Sequence, residues 1–385
     1  MRVLTFLLVL ALTTGSASAA GQSNTGSARQ RPRIRFGPGV CGPIDPSYVS
    51  VANETGGTVF PLATDEIAKS SQRMMSAFYD DLILWAYGEG ERTYPIPVDS
   101  TVTGVVISAS FDTKGGALTL VSPSGVPLNG GPGVTDTVFN CGRVITIEAP
   151  LAGPWQLRVV PTGHFWLTVE AKSELSVFNA QFVRPGGRPG HEGLFQIEGQ
   201  PLAGTPATFV VRVDGELTAP VFELVAVDAQ VLQTVDLEPT PDGEYVGTFV
   251  PPSRRFRLLV RGNDGSGLPF QRMRKGMFRG ETIEVVPPVA PPVRPGGTTS
   301  VTFTVRNYGP PVRLRMTASG DKGTLLPVQP PFMQLEQNGQ GAAAVPVLVP
   351  DDAAPESLIE VFFTATAEGE SPAGNYATAQ IVVRR

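Results

Sequence analysis

The chain has 385 residues, among them 43 glycines and 37 prolines, and carries a formal charge of −5 from 30 basic and 35 acidic side chains. Glycine and proline are costly inside helices, so this composition excludes a long helical bundle; the Val, Leu, Ile and Phe spread along the chain exclude full disorder. A mildly acidic balance without a clustered positive field argues against nucleic acid as a partner.

Arg2, the apolar run Val3–Leu12 and the small residues Ala17-Ser18-Ala19 read as a secretory signal over residues 1–19. The apolar run is too short to span a bilayer. An exported chain starting at Ala20 is expected, with no membrane insertion: secreted and extracellular, or in the periplasm or at the cell surface of a bacterium. Residues 20–40 are rich in Gly, Ser, Gln and Arg and read as a flexible leader. In an oxidising compartment Cys41 and Cys141 are candidates for one disulfide; two buried, unpaired thiols are the alternative. Only two histidines, His164 and His191, accompany them. That is too thin a ligand set for a structural metal, and no cofactor is expected.

Residues 41–90 read as a short αβα unit. A helix over 46–55 ends at Gly56-Gly57, and Thr58-Val59-Phe60 form a short strand. A second helix covers 64–88: Thr64 caps it, Asp65 and Glu66 suit its dipole, and Gly88 stops it. Ile67, Ser71, Met74, Phe78, Leu82 and Trp85 then share one face.

From about residue 91 the apolar period becomes two, between Gly, Pro, Asn and Asp turns. Val102–Phe111, Ala117–Val121, Val144–Glu148, Gln156–Val160 and Phe165–Ala171 give a β-sandwich over 91–173. Ser176–Val183, Ala207–Val213, Val221–Ala226, Val231–Leu237, Tyr245–Val250 and Phe256–Arg261 give a second over 174–286. The run VVPPVAPPVRPGG holds five prolines and reads as a stiff linker over 287–297. A third sandwich covers 298–385. The fold expected is mainly β: the αβα remnant, then three serial immunoglobulin-like sandwiches.

Three stretches resemble a known family. Pro46–Leu62 (PSYVSVANETGGTVFPL) is similar to the last helix–strand junction of a von Willebrand factor A domain. Ser122–Ala171, with its Ser-Pro-Ser-Gly and Gly-Pro-Trp pieces, resembles the β-domain that follows the A domain in hemicentins and related extracellular proteins. Phe249–Arg272 is similar to a stretch further along the same region. The resemblance covers residues 41 to about 286 in order. It implies that the helix at 64–88 is the family's linker helix, docked on the following β-domain or offered to a partner. The family's Asp-x-Ser-x-Ser metal loop is missing, since Asp264-Gly265-Ser266-Gly267-Leu268 lacks the second Ser. The metal-dependent adhesion site is therefore not carried over. A degenerate stand-alone relative and a chain separated from an upstream A domain both fit.

No chemistry assembles from the remaining residues. Ser108, Ser122 and Ser124 lack a nucleophile elbow. His164 reads as a turn or strand-edge residue and His191 as part of a loop. The paired acids Asp80/Asp81, Glu89/Glu91 and Asp351/Asp352 read as solvated, and Asp112, Asp136 and Asn263-Asp264 lack the spacing of a calcium loop. Tyr245, just after Asp242-Gly243, suits a tyrosine corner. Trp155 and Trp166 are core residues or, in the functional alternative, a platform for a sugar ring. Asn53-Glu54-Thr55 is a glycosylation sequon. The function expected is that of a secreted, non-catalytic binding or adhesion-type structural protein. It would meet an extracellular protein or glycan through its sandwich surfaces; the alternative is a glycan-binding accessory of a secreted hydrolase system.

Overall fold

A computed structural model of the chain describes residues 41, 44–55, 57–70, 81–188, 190–321, 324–369 and 373–384. The signal and leader expected over 1–40 lie outside these residues, as do Ser71, Met74, Phe78 and Asp80. One helix, α1 (Pro46–Thr55), precedes a 3-10 turn at Thr64–Ser70. The rest of the described residues are strand and loop. The first eight strands are β1 (Asp81–Glu89), β2 (Arg92–Val98), β3 (Gly104–Phe111), β4 (Ala117–Val121), β5 (Val134–Phe139), β6 (Gly142–Glu148), β7 (Gly153–Val160) and β8 (His164–Lys172). They make a five-stranded sheet, β1-β8-β3-β6-β5, and a three-stranded sheet, β2-β7-β4.

Strand β7 shows the sandwich pattern directly. Trp155, Leu157 and Val159 are buried while Pro154, Gln156 and Arg158 face out, because successive side chains take opposite faces. Strand β2 carries Pro95 and Pro97 and lies at a sheet edge, where a missing N–H costs no ladder bond. Strand β3 is buried along its whole length. One face fills the sandwich; the other is covered by the N-terminal segment, where Phe60 and Leu62 pack on Val106, Phe139 and Val144.

Two local expectations are corrected. Thr58-Val59-Phe60 form no strand, and Leu82 and Trp85 belong to β1 rather than to a helix. Leu82 to Ala86 is an unbroken apolar run, which satisfies helical spacing and a strand buried on both faces equally. Burial decides: Leu82 to Ala86 are all buried, and β1 pairs antiparallel with β8.

The middle strands are β9 (Ser176–Gly186), β10 (Gly193–Gln196), β11 (Ala207–Asp214), β12 (Leu217–Val225), β13 (Val231–Val235), β14 (Glu238–Pro239), β15 (Glu244–Phe249), β16 (Arg257–Asp264) and β17 (Pro269–Met273). Their sheets run β10-β9-β11-β15-β14 and β13-β12-β16-β17. The last strands are β18 (Ile283–Val286), β19 (Thr298–Asn307), β20 (Val312–Gly320), β21 (Thr324–Leu325), β22 (Phe332–Leu335), β23 (Gln340–Leu348), β24 (Leu358–Ala367) and β25 (Gly374–Val382), in sheets β18-β19-β23-β21 and β22-β20-β24-β25. Phe303 and Phe363 stack at 4.5 Å in that core. The proline-rich run is not a linker ahead of this sandwich. Val285 and Val286 already pair with Val305 and Thr304, and Val293 donates its N–H to Val382, so 287–297 is a loop inside it.

Packing divides the chain into two units. Of the described residues, one takes those up to Ala180 with Val211–Tyr245 and Phe256–Met277; the other takes those of Gln181–Val210, Val246–Arg255 and from Phe278 on. The stretch 174–286, read from sequence as one sandwich, is thus shared between them. In the first unit Val225, Leu259 and Met273 join the core of the first sandwich. In the second, Phe182, Phe209, Phe249 and Phe278 form an aromatic nest.

Candidate functional site

The N-terminal segment is fastened to the first sandwich at several points. Cys41 and Cys141 form a disulfide. Ser110 Oγ donates to the Val59 carbonyl at 2.5 Å, and Trp85 Nε1 to the Gly57 carbonyl at 2.9 Å. Glu66 accepts from the backbone of Asn140 at 2.6 Å and of Ala63 at 3.0 Å. Arg257, fully buried, stacks its guanidinium 3.7 Å over the Trp85 ring and donates to the carbonyls of Asn53 and Lys275. Burial, then the nearby Arg274 charge, lowers its pKa to about 9. Among the described residues no carboxylate pairs with it; the last-turn carbonyl of α1 and the Trp85 π-face take that place.

This geometry corrects the glycosylation reading. Asn53 is only 8% exposed, with its Oδ1 buried, so a glycan on its side chain is incompatible with the docked α1. Trp155 and Trp166 are 4% and 1% exposed. Neither offers a ring face to a sugar.

Residues that the sequence presents singly come together at one end of the first sandwich. Antiparallel pairing sets His164, the first residue of β8, opposite Glu89, the last of β1. Asp112 follows β3 directly, and its N–H donates to the His164 carbonyl. His164 Nδ1 lies 3.0 Å from Asp112 Oδ2 and Nε2 lies 3.0 Å from Glu89 Oε1. Asp112 Oδ1 accepts the His164 backbone N–H at 2.8 Å. The imidazole stacks on Tyr87 with centroids 5.5 Å apart and planes 8° from parallel; Tyr87 in turn meets Trp166 at 5.1 Å. Burial, then the Asp112 and Glu89 charges, push the Tyr87 phenol above its ordinary range. Arg158 pairs with Glu91 at 2.8 Å.

Both nitrogens of His164 face carboxylates. An imidazolium, with two N–H donors, satisfies both; a neutral ring has one donor. A general base must turn a free lone pair toward a nucleophile, and here both positions are occupied. The cluster can instead recognise: Glu89 is 72% exposed, and the 39% exposed imidazole edge stands beside it. His191 lies apart from this cluster, on an exposed loop where its N–H donates to Arg188.

The acids weighed for calcium have protein partners. Asp136 takes two hydrogen bonds from Arg143, at 2.9 and 2.6 Å. Asp264 is buried and accepts from Ser100 Oγ and N–H at 2.6 and 2.7 Å, and from the N–H groups of Ser266 and Leu268 at 2.9 and 2.8 Å. Burial alone would raise its pKa, but these hydrogen bonds outweigh it and hold the carboxyl below the usual carboxylate range. Among the described residues, no group of three or more His, Cys, Asp or Glu is placed to hold a metal. Tyr245 packs on Phe222 at 5.0 Å and lines an open cleft rather than closing a tyrosine corner.

Residues 82–174 match the family described as hemicentin galactose-binding domain-like, and residues 283–385 match the VWA7 Ig-like domain. Hemicentin-1 of Mus musculus is 24% identical over 262 residues, covering 64% of this chain and 4% of its own length. Hemicentin-2 of Mus musculus is 26% identical over 261 residues, covering 61% and 5%. The von Willebrand factor A domain-containing protein 7 of Mus musculus is 25% identical over 386 residues, covering 91% of this chain and 41% of its own. The chain therefore spans a small part of the hemicentins and less than half of the latter relative. No helix among the described residues is long and apolar enough to cross a membrane.

Proposed function

We infer that this chain, related to the hemicentins and to von Willebrand factor A domain-containing protein 7, is a secreted, non-catalytic binding or adhesion-type protein. The observation that carries the reading is the presence on one chain of a hemicentin galactose-binding domain-like module and a VWA7 Ig-like module. Rigid sandwiches present loops and sheet ends to partners while their cores stay fixed. The disulfide and the strap 57–66 hold the first sandwich in that way.

The partner is an extracellular protein or a glycan. The family description favours a glycan at the first sandwich, and the buried tryptophans move its contact point to the polar end. There Glu89 offers a carboxylate to sugar hydroxyls, and the His164 edge lies beside it. Glycan-array binding of the purified chain tests this. Glu89→Gln with His164→Ala should abolish glycan retention while leaving circular dichroism and the melting transition in place. Retention unchanged in that variant, or retention by proteins alone, overturns the glycan contact.

A further inference from the structure

Strand β10 stands at the edge of its five-stranded sheet and pairs on one side only, with β9. All four of its residues are exposed; Leu194 and Phe195 keep 47% and 49% of their surface open. The ladder shows which backbone groups are left over. Ile197 donates its N–H to the Phe182 carbonyl at 3.0 Å, and bonded and non-bonded residue pairs alternate along an antiparallel ladder. Gly193 and Phe195 therefore turn their backbone groups toward β9, and Leu194 and Gln196 turn theirs outward. Opposite Leu194 stands Pro185, which has no N–H to give.

Several other edges are blunted. β2 carries Pro95 and Pro97, β14 ends in Pro239, and on β25 the Thr378 N–H is taken by the Glu198 carboxylate. β10 holds neither proline nor charge. A bare edge with apolar side chains is a template for another strand.

The sequence here is complementary to itself. With two copies antiparallel and Leu194 opposite Leu194, the outward backbone groups of the two edges meet. Glu192, just before the strand, then faces Gln196 of the second copy, and the reverse, so a carboxylate meets an amide donor twice. These side chains share one face with Leu194, where Pro185, Leu194 and their copies make an apolar row across the junction. On the other face Phe195 meets Gly193 of the second copy, which has no side chain to obstruct it. The neighbouring alignment, with Phe195 opposite Phe195, sets Glu192 against Glu198 and opposes like charges.

We propose that β10 is a contact between two copies of this chain, which join edge to edge about a two-fold axis and merge two five-stranded sheets into one. An edge of four residues buries less than a standard interface, so the dimer is reversible. Pairing doubles the binding surfaces carried by one particle. Glycan retention at the polar end does not require this contact, so failure here leaves that reading untouched.

Sedimentation equilibrium of the full, disulfide-intact chain is the test. The average mass should rise with concentration from one chain toward two. Gln196→Lys adds two cross-strand charge pairs with Glu192 and should tighten the dimer about fivefold; Gln196→Glu sets like charges there and should weaken it about fivefold. Leu194→Pro removes an outward N–H that the hairpin does not use, and should give a monomer with unchanged circular dichroism. Both cysteines of the chain are joined in the disulfide, so Leu194→Cys adds a lone thiol. Opposed residues of a bonded pair lie about 5.5 Å apart at Cα, within disulfide reach, so mild oxidation should give a covalent dimer. Val231→Cys, 41% exposed on β13, should not. A chain that stays monomeric throughout, a dimer indifferent to both Gln196 variants, or equal cross-linking at 194 and 231 would each overturn the proposal.

Discussion

Asp264 lies in a stretch without the spacing of a calcium loop, and its four hydrogen bonds give it a structural task. Because its folded pKa lies below the unfolded value, its contribution is complete above the unfolded pKa and is lost as pH falls through the folded one. Asp264→Ala leaves the Ser100, Ser266 and Leu268 donors without their acceptor. It should lower stability at neutral pH by about 1–3 kcal/mol. The gap between variant and parent should close as the pH is lowered into the acid range. Denaturant titration at several pH values checks this; a gap independent of pH contradicts the assignment. Glu89, Asp112 and His164 were each visible in the sequence, yet their meeting was not. It depends on the register that sets Glu89 opposite His164 and on where β3 ends, and no local pattern encodes either. Trp155 and Trp166 were ambiguous for a related reason. An aromatic on an alternating strand has one of two faces, and only the partner sheet and the N-terminal strap decide whether that face is wet.

At the scale of elements, most strands could be read from the period of two. β4 falls on the residues that the alternation marks, and α1 occupies 46–55, where a helix ahead of Gly56-Gly57 was expected. Strand β1 could not be read this way, because a run that is apolar at every position carries no period. Strand β2 was hidden by Pro95 and Pro97, which signal a turn unless the strand lies at an edge. The N-terminal segment, tied by Cys41 and packed through Phe60 and Leu62, covers one face of the first sandwich. Without it, the outer face of the β1-β8-β3-β6-β5 sheet would expose Val106, Phe139 and Val144. Cys41→Ala with Cys141→Ala removes the bond that closes a sequence separation of 100 residues. The entropy of that loop is worth up to about 4–5 kcal/mol. Equilibrium unfolding should show a loss approaching this value, and two free thiols counted in denatured wild-type protein would contradict the bond itself.

For the whole molecule, composition and strand rhythm were enough to reach a mainly β chain with an immunoglobulin-like end. The position of the proline-rich run was misleading. Stiffness suggests a linker, but β18 precedes the run and already pairs with β19, so the run is a loop held inside one sandwich. The contacts proposed for the chain lie in loops and at the ends and edges of sheets, which carry no periodic signal. The function proposed for this chain is binding without chemistry. Its most direct test is to pass the purified, disulfide-intact chain over immobilised extracellular glycans and proteins, and then to weigh the retained partner by mass spectrometry. Binding without chemistry predicts saturable retention and a partner of unchanged mass. A partner that is cleaved or modified, or a chain that nothing on the panel retains, would contradict it.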